Sequence, residues 1–242
     1  EGAFEIGYKT TAWEPGKTAM IVVDMWDAHE KPEVAARITE LAAPIHRAVE
    51  AARRRGVLIV HAPSGAMAHY EGTAQRAAVG AAALPEDTDD WTGRDAQREP
   101  ALPTGEADAQ QPPEPNRAAK SQIQTIAIER GDVVGDDARV VGLLDERGIE
   151  NVILVGVHTN GRLLGGPLGI RQLVARGKNV VLARDLSDAL LPGEPTDGDR
   201  RARAAETVVE HIEKYGCPTV TSTDLLGRPA FRFSDDRRPH VA

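Results

Sequence analysis

A residue able to do acid–base chemistry stands at the end of an apolar run: Ala19-Met20-Ile21-Val22-Val23 leads straight into Asp24. A carboxylate in that place is costly unless it opens into a cleft or meets a partner. Asp24 is therefore a candidate general acid or base, with a cap on the next segment as the alternative. Trp26 and His29 follow within one turn of chain. They are placed either to line the same pocket, as a stacking wall and as a polar contact or weak metal ligand, or to pack the loop. A second candidate is the turn Gly156-Val157-His158-Thr159-Asn160-Gly161-Arg162. A helix beginning there would aim backbone N–H groups and its positive end at an oxyanion or a carboxylate. Thr159 and Asn160 suit helix caps in any such connection. His61 and Asp185, the latter with Ser187 and Asp188, stand at further run ends.

The elements that must position these residues are short, β-branched apolar runs alternating with helical patterns, the mark of buried parallel strands joined by crossover helices. The strands expected are 19–23, 57–60, 123–128, 152–155, 180–183 and 219–221. Helices are expected over 32–55, 137–147, from 160 to near 177, and 200–215, with Gly165-Gly166-Pro167 breaking or displacing the third. This predicts an α/β fold: a three-layer αβα sandwich around a mostly parallel, doubly wound sheet, whose ligands bind beyond the carboxyl ends of the strands. A single domain over 1–242 is expected, with short terminal extensions and an irregular insertion at about 84–119. That insertion, rich in Pro, Asp, Glu and Gln, would be a lid, an oligomer arm or disorder. Its Glu86-Asp87-Asp89-Asp90 group suits a solvated loop better than a Ca²⁺ site.

Composition narrows the function. The 242 residues carry a net charge of -8 and no basic stripe, which argues against a nucleic-acid partner. Arg53, Arg54 and Arg55 sit at a helix end, where cations complement the dipole. A single cysteine, Cys217, excludes an internal disulfide framework or a Cys-rich metal site, and a buried structural thiol is expected. No run approaches the roughly 18 apolar residues that span a bilayer, and no signal peptide shows from Glu1 onward. No membrane partner and a cytoplasmic location are expected.

The segments MIVVDMWDAH and NVILVGVHTN, with Lys120 between them, resemble the isochorismatase-like (cysteine hydrolase) superfamily, which includes nicotinamidases, carbamoylsarcosine amidases and true isochorismatases. The resemblance runs in order from about Thr18 to Thr223. It implies that Asp24 is the family's aspartate, Lys120 its lysine and Gly156, Thr159 and position 162 its Gly-x-x-Thr-x-x-Cys motif, with a cis peptide before the third motif residue. It also implies that Val157, His158, Thr159, Asn160 and Gly161 surround the substrate, His158 through its backbone N–H, and that the protein is a homo-oligomer. His61 and His69, with Asp27 or His29, faintly resemble the metal group of nicotinamidases, but the pattern is incomplete; neither a metal nor a cofactor is expected.

The departure is at position 162, which is arginine. A guanidinium has no free lone pair and stays protonated, so it cannot form a thioester. Three readings follow. The chain is a cysteine-free hydrolase of a small carboxylate-bearing molecule, with Asp24 as general acid/base, Lys120 as electrostatic support and Arg162 as substrate anchor. Or it catalyses a non-hydrolytic step, an elimination or cyclisation. Or it is a non-catalytic binding or scaffold protein. An Arg162–Asp24 pair closed over no cavity would favour the last; a ligand-sized gap would favour catalysis.

Overall fold

The computed structural model describes residues 5–85, 100, 102, 116–191 and 197–239. Most of the expected insertion, and all of its acidic group, lies outside the described residues. The strands are β1 (Thr18–Val23), β2 (Leu58–Ala62), β3 (Val133–Val134), β4 (Asn151–Val157), β5 (Asn179–Asp188) and β6 (Thr219–Val220). They form one sheet in the order β3-β2-β1-β4-β5-β6, parallel throughout. The helices are α1 (Pro32–Arg54), α2 (Ala74–Gly80), α3 (Ala138–Glu146), α4 (Arg162–Gly165), α5 (Ile170–Ala175), α6 (Gly198–Tyr215) and α7 (Ser222–Leu226).

Alternation along the strands builds two cores. Ala19, Ile21 and Val23 face α2 to α6, meeting Val79, Val140, Leu163, Leu173 and Ile212. Met20 and Val22 face α1, meeting Ile38, Leu41 and Ile45, with Leu225 of α7 packed beside them. The doubly wound α/β sandwich read from the sequence is the observed fold. Winding reverses between β1 and β4, and this switch point is where Asp24 and the 156–162 turn end up.

Four local readings need correction. The run 123–128 is not a strand: it is coil, and residue 26 bridges antiparallel to 122 beside it. The third strand is instead the two-residue Val133–Val134. β2 runs through His61, which is wholly buried rather than at a strand end. β5 extends through Asp185, whose carboxylate binds Ser222 and the Phe231 N–H, fastening α7 and the C-terminal segment. The helix after β4 breaks as expected, into α4 and α5. Its N-cap is Gly161, while Asn160 instead exchanges two hydrogen bonds with the Leu190 backbone. Gly166 has no substitute at the break, since a Cβ there would lie 2.6 Å from the Arg162 carbonyl.

Candidate functional site

Strand ends converge on Asp24. The residue leaves β1 with φ 52°, a left-handed backbone, and its N–H donates to the Ala62 carbonyl at 3.1 Å. β4 arrives alongside with Val23 opposite Gly156, where a Cβ would lie 2.0 Å from the Val23 carbonyl and φ is +115°. Glycine is required there. The next peptide, Val157–His158, is cis. The turn then delivers Arg162 to the mouth of the site, and Ser64 comes from the loop after β2.

Asp24 is 1% exposed. Its Oδ1 accepts the Ser64 N–H at 2.8 Å and the Ser64 hydroxyl as well. Its Oδ2 is buried and has no hydrogen-bond partner among the described residues. The nearest cation, Arg162 Nε, is 3.7 Å away, too long for a hydrogen bond, and that side chain is a quarter exposed. Burial pushes the Asp24 carboxyl up to about 7, against the charge of Arg162 and the two Ser64 hydrogen bonds, with Asp136 adding to the rise. Asp24, Ser64, Asp136, Arg162, Gly166, Pro167 and Leu168 line a cavity of about 10 Å³, room for about one water molecule. Asp136, just past β3, is half-buried and has no hydrogen bond or ion pair among the described residues.

The other expected site residues divide. Trp26 is buried and donates its indole N–H to the Ser64 carbonyl at 3.0 Å, so it holds the Ser64 loop rather than walling the cavity. His29 and His158 pack against it, with ring centroids 5.8 and 6.2 Å from Trp26 and 6.0 Å from each other. Burial, helped by the charges of His29 and Lys31, pushes His158 down to about 3, so its ring is neutral at pH 7. Val157, Thr159 and Gly161 shape the turn: the Thr159 N–H donates to the Asp188 carbonyl at 2.9 Å. At four residues, α4 is too short for the helix-end anion site expected of it.

Lys120 is exposed. Its backbone N–H binds Asp27, and it forms no ion pair with Asp24; the largest charge effects on Asp24 come from Arg162 and Asp136. The faint metal group is dispersed as well. His61 lies between Gln122 and Asp132, Asp27 holds the 120–121 backbone, and His69 is exposed against Tyr70. Cys217 is buried, and burial pushes its thiol up to about 12, away from any thiolate role. Sequence reasoning missed Ser64 and Asp136. Each follows a strand end by two residues, a placement visible only once β2 and β3 have their true bounds.

No protein-family model and no curated protein sequence matches the chain. Solved structures do. A cysteine hydrolase from Pseudomonas syringae pv. phaseolicola 1448A superposes with a TM-score of 0.55 at 18% identity, over 90% of this chain and 96% of that one. An isochorismatase from Pseudomonas putida KT2440 gives 0.54 at 15%, over 90% and 94%. A ribonuclease from Caenorhabditis elegans gives 0.50 at 15%, over 94% and 88%. At these identities the likeness defines a class of fold: the chain has the isochorismatase-like α/β fold.

Proposed function

We propose that this chain is a hydrolase that works on this fold without a cysteine nucleophile, cleaving a C–O or C–N bond in a small carboxylate-bearing molecule. Asp24 is the general acid/base and Arg162 the carboxylate anchor. One observation carries the reading: a wholly buried carboxyl with one oxygen unpartnered, facing a cavity, whose proton leaves near pH 7. An acid poised near the working pH is what proton transfer to a leaving group asks for, and such transfer contributes about 10²–10⁴-fold. A left-handed aspartate costs roughly 1–3 kcal/mol, and the unmet buried oxygen adds to it. A site kept only for stability has no use for either.

A second reading, a non-catalytic binding or scaffold protein, is favoured by a specific observation. Arg162 closes over Asp24, and the space left is about 10 Å³. Catalysis therefore requires the guanidinium to swing outward, toward the carboxylate of an arriving substrate. Its quarter exposure and its 3.7 Å separation from Asp24 leave it free to do so.

The test is hydrolysis of a panel of vinyl ethers and amides of small carboxylic acids by the wild-type chain and by Asp24→Asn and Cys217→Ser variants. The reading expects a turnover that Asp24→Asn lowers by about 100-fold or more and Cys217→Ser leaves unchanged. Undiminished turnover in Asp24→Asn overturns it, and a wild-type chain that turns over nothing in the panel favours the scaffold.

A further inference from the structure

Two aspartates line the cavity, one at the end of β1 and one just past β3 with the β2 end between them, and the reaction described above uses only one. Asp24 offers it an unpartnered, buried Oδ2; Asp136, half-buried and without a bonding partner among the described residues, lines the same space. A pair of acids in unequal environments divides the two protonic roles, one giving and one taking. The volume supports this division: about 10 Å³ admits one water and nothing larger. A water there would be lined by the polar residues Asp24, Asp136, Arg162 and Ser64, as a bound water requires.

We propose that this cavity is the seat of the hydrolytic water and that Asp136 is the general base that takes its proton. The inference rests on the reading of Asp24 as the acid. As the water oxygen bonds to the electrophilic carbon of the substrate, one water proton passes to the Asp136 carboxylate. The C–O or C–N bond breaks, its electron pair leaves on the departing oxygen or nitrogen, and that atom takes the proton from Asp24. Asp136 ends protonated and Asp24 ionised, and transfer of one proton from the first to the second restores the site. The enzyme passes through no covalent intermediate.

Ser64 sets the direction of the first acid. Its N–H and hydroxyl both point at Asp24 Oδ1, so the proton of the neutral acid belongs on Oδ2, the oxygen on the Arg162 side.

The experiment is a carbon-13 NMR titration of the Asp24 carboxyl in the wild type, Asp136→Asn and Asp137→Asn, with a high-resolution crystal structure of the wild type at neutral pH. Arg162 of α4 and Asp136, just past β3, exert the largest charge effects on Asp24. Asp137 is the control, because it caps α3 and pairs with Arg76 rather than lining the cavity. The expected result is an Asp24 midpoint that falls by about half a pH unit in Asp136→Asn and stays put in Asp137→Asn. A water hydrogen-bonded to both Asp24 and Asp136 is expected in the crystal. An unmoved midpoint in Asp136→Asn, or a cavity water that does not touch Asp136, overturns the inference and leaves Asp24 as the acid. A wild-type midpoint in the ordinary carboxylate range instead overturns the reading of Asp24, whatever Asp136 does.

Discussion

Asp24 and Asp132 are both buried aspartates, at opposite ends of the same parallel sheet, and their surroundings drive them in opposite directions. Burial would raise Asp132 too. It is outweighed by hydrogen bonds from His61 (3.0 Å), from Arg53 (2.7 and 3.1 Å) and from the Glu129 N–H (2.8 Å), which hold its carboxyl down at about 2. His61 is itself fixed on its other side by Gln122 Oε1 at 3.0 Å, and the Gln122 amide is oriented by its bond to the Ile126 carbonyl. Asp24 receives both of its donors on one oxygen, and its cation stands off at 3.7 Å. A buried carboxylate met on both oxygens fastens α1 to the start of β3. A buried carboxylate met on one oxygen keeps a proton near neutrality. The difference separates a structural acid from the proposed catalytic one.

The largest effect expected is at the structural acid. Asp132→Asn leaves Arg53 without its charge partner and disturbs the hydrogen bond to the wholly buried His61, and it should cost on the order of 3–5 kcal/mol, read as a fall in denaturation midpoint. Asp132 binds its proton more weakly in the folded chain than in the unfolded one. Its contribution is therefore whole above pH 3.8 and drains away as pH falls toward 2, a loss the variant should not show. Asp24→Asn should do the reverse. The folded chain holds the Asp24 proton more tightly, so the native residue is least costly below pH 3.8 and most costly above about 7. The variant should be more stable than wild type by on the order of 2–4 kcal/mol at pH 8, a gain that vanishes near pH 4. Equal stability at both pH values would erase the contrast between the two acids.

Smaller effects sharpen it. Arg162→Ala removes the charge that restrains Asp24 and should raise its midpoint by about one unit, and Ser64→Ala should raise it less. Both are read by carboxyl NMR, and a fall in either variant contradicts the account. Lys120→Met should leave the midpoint where it was, and a clear rise would return Lys120 to the site.

What could be read in the sequence follows the same physics. Period-two burial and continuous apolar runs made β1, β4 and the two cores legible, and with them Asp24 and the 156–162 turn. β3 was not legible because two residues carry no pattern, and the apolar run 123–128 drew the assignment away from it. With β3 misplaced, Asp136 could not be seen as a strand-end residue. Ser64 was hidden because β2 runs two residues past the expected end, through His61, whose polarity imitates a boundary while its partners lie inside the protein. Lys120 was assigned on resemblance alone, with no flanking motif to fix it, and the structure leaves it exposed. Arg162 was legible as a cation facing an anion, with Asp24 one expected partner; that the two stand 3.7 Å apart with room for about one water beside them is a fact of packing.

The proposed acid catalysis turns on the proton of Asp24, and the direct measurement is its carbon-13 carboxyl titration in the wild-type chain. A midpoint near pH 7 is the predicted result. A midpoint near pH 4, the value of an aspartate in water, would contradict it.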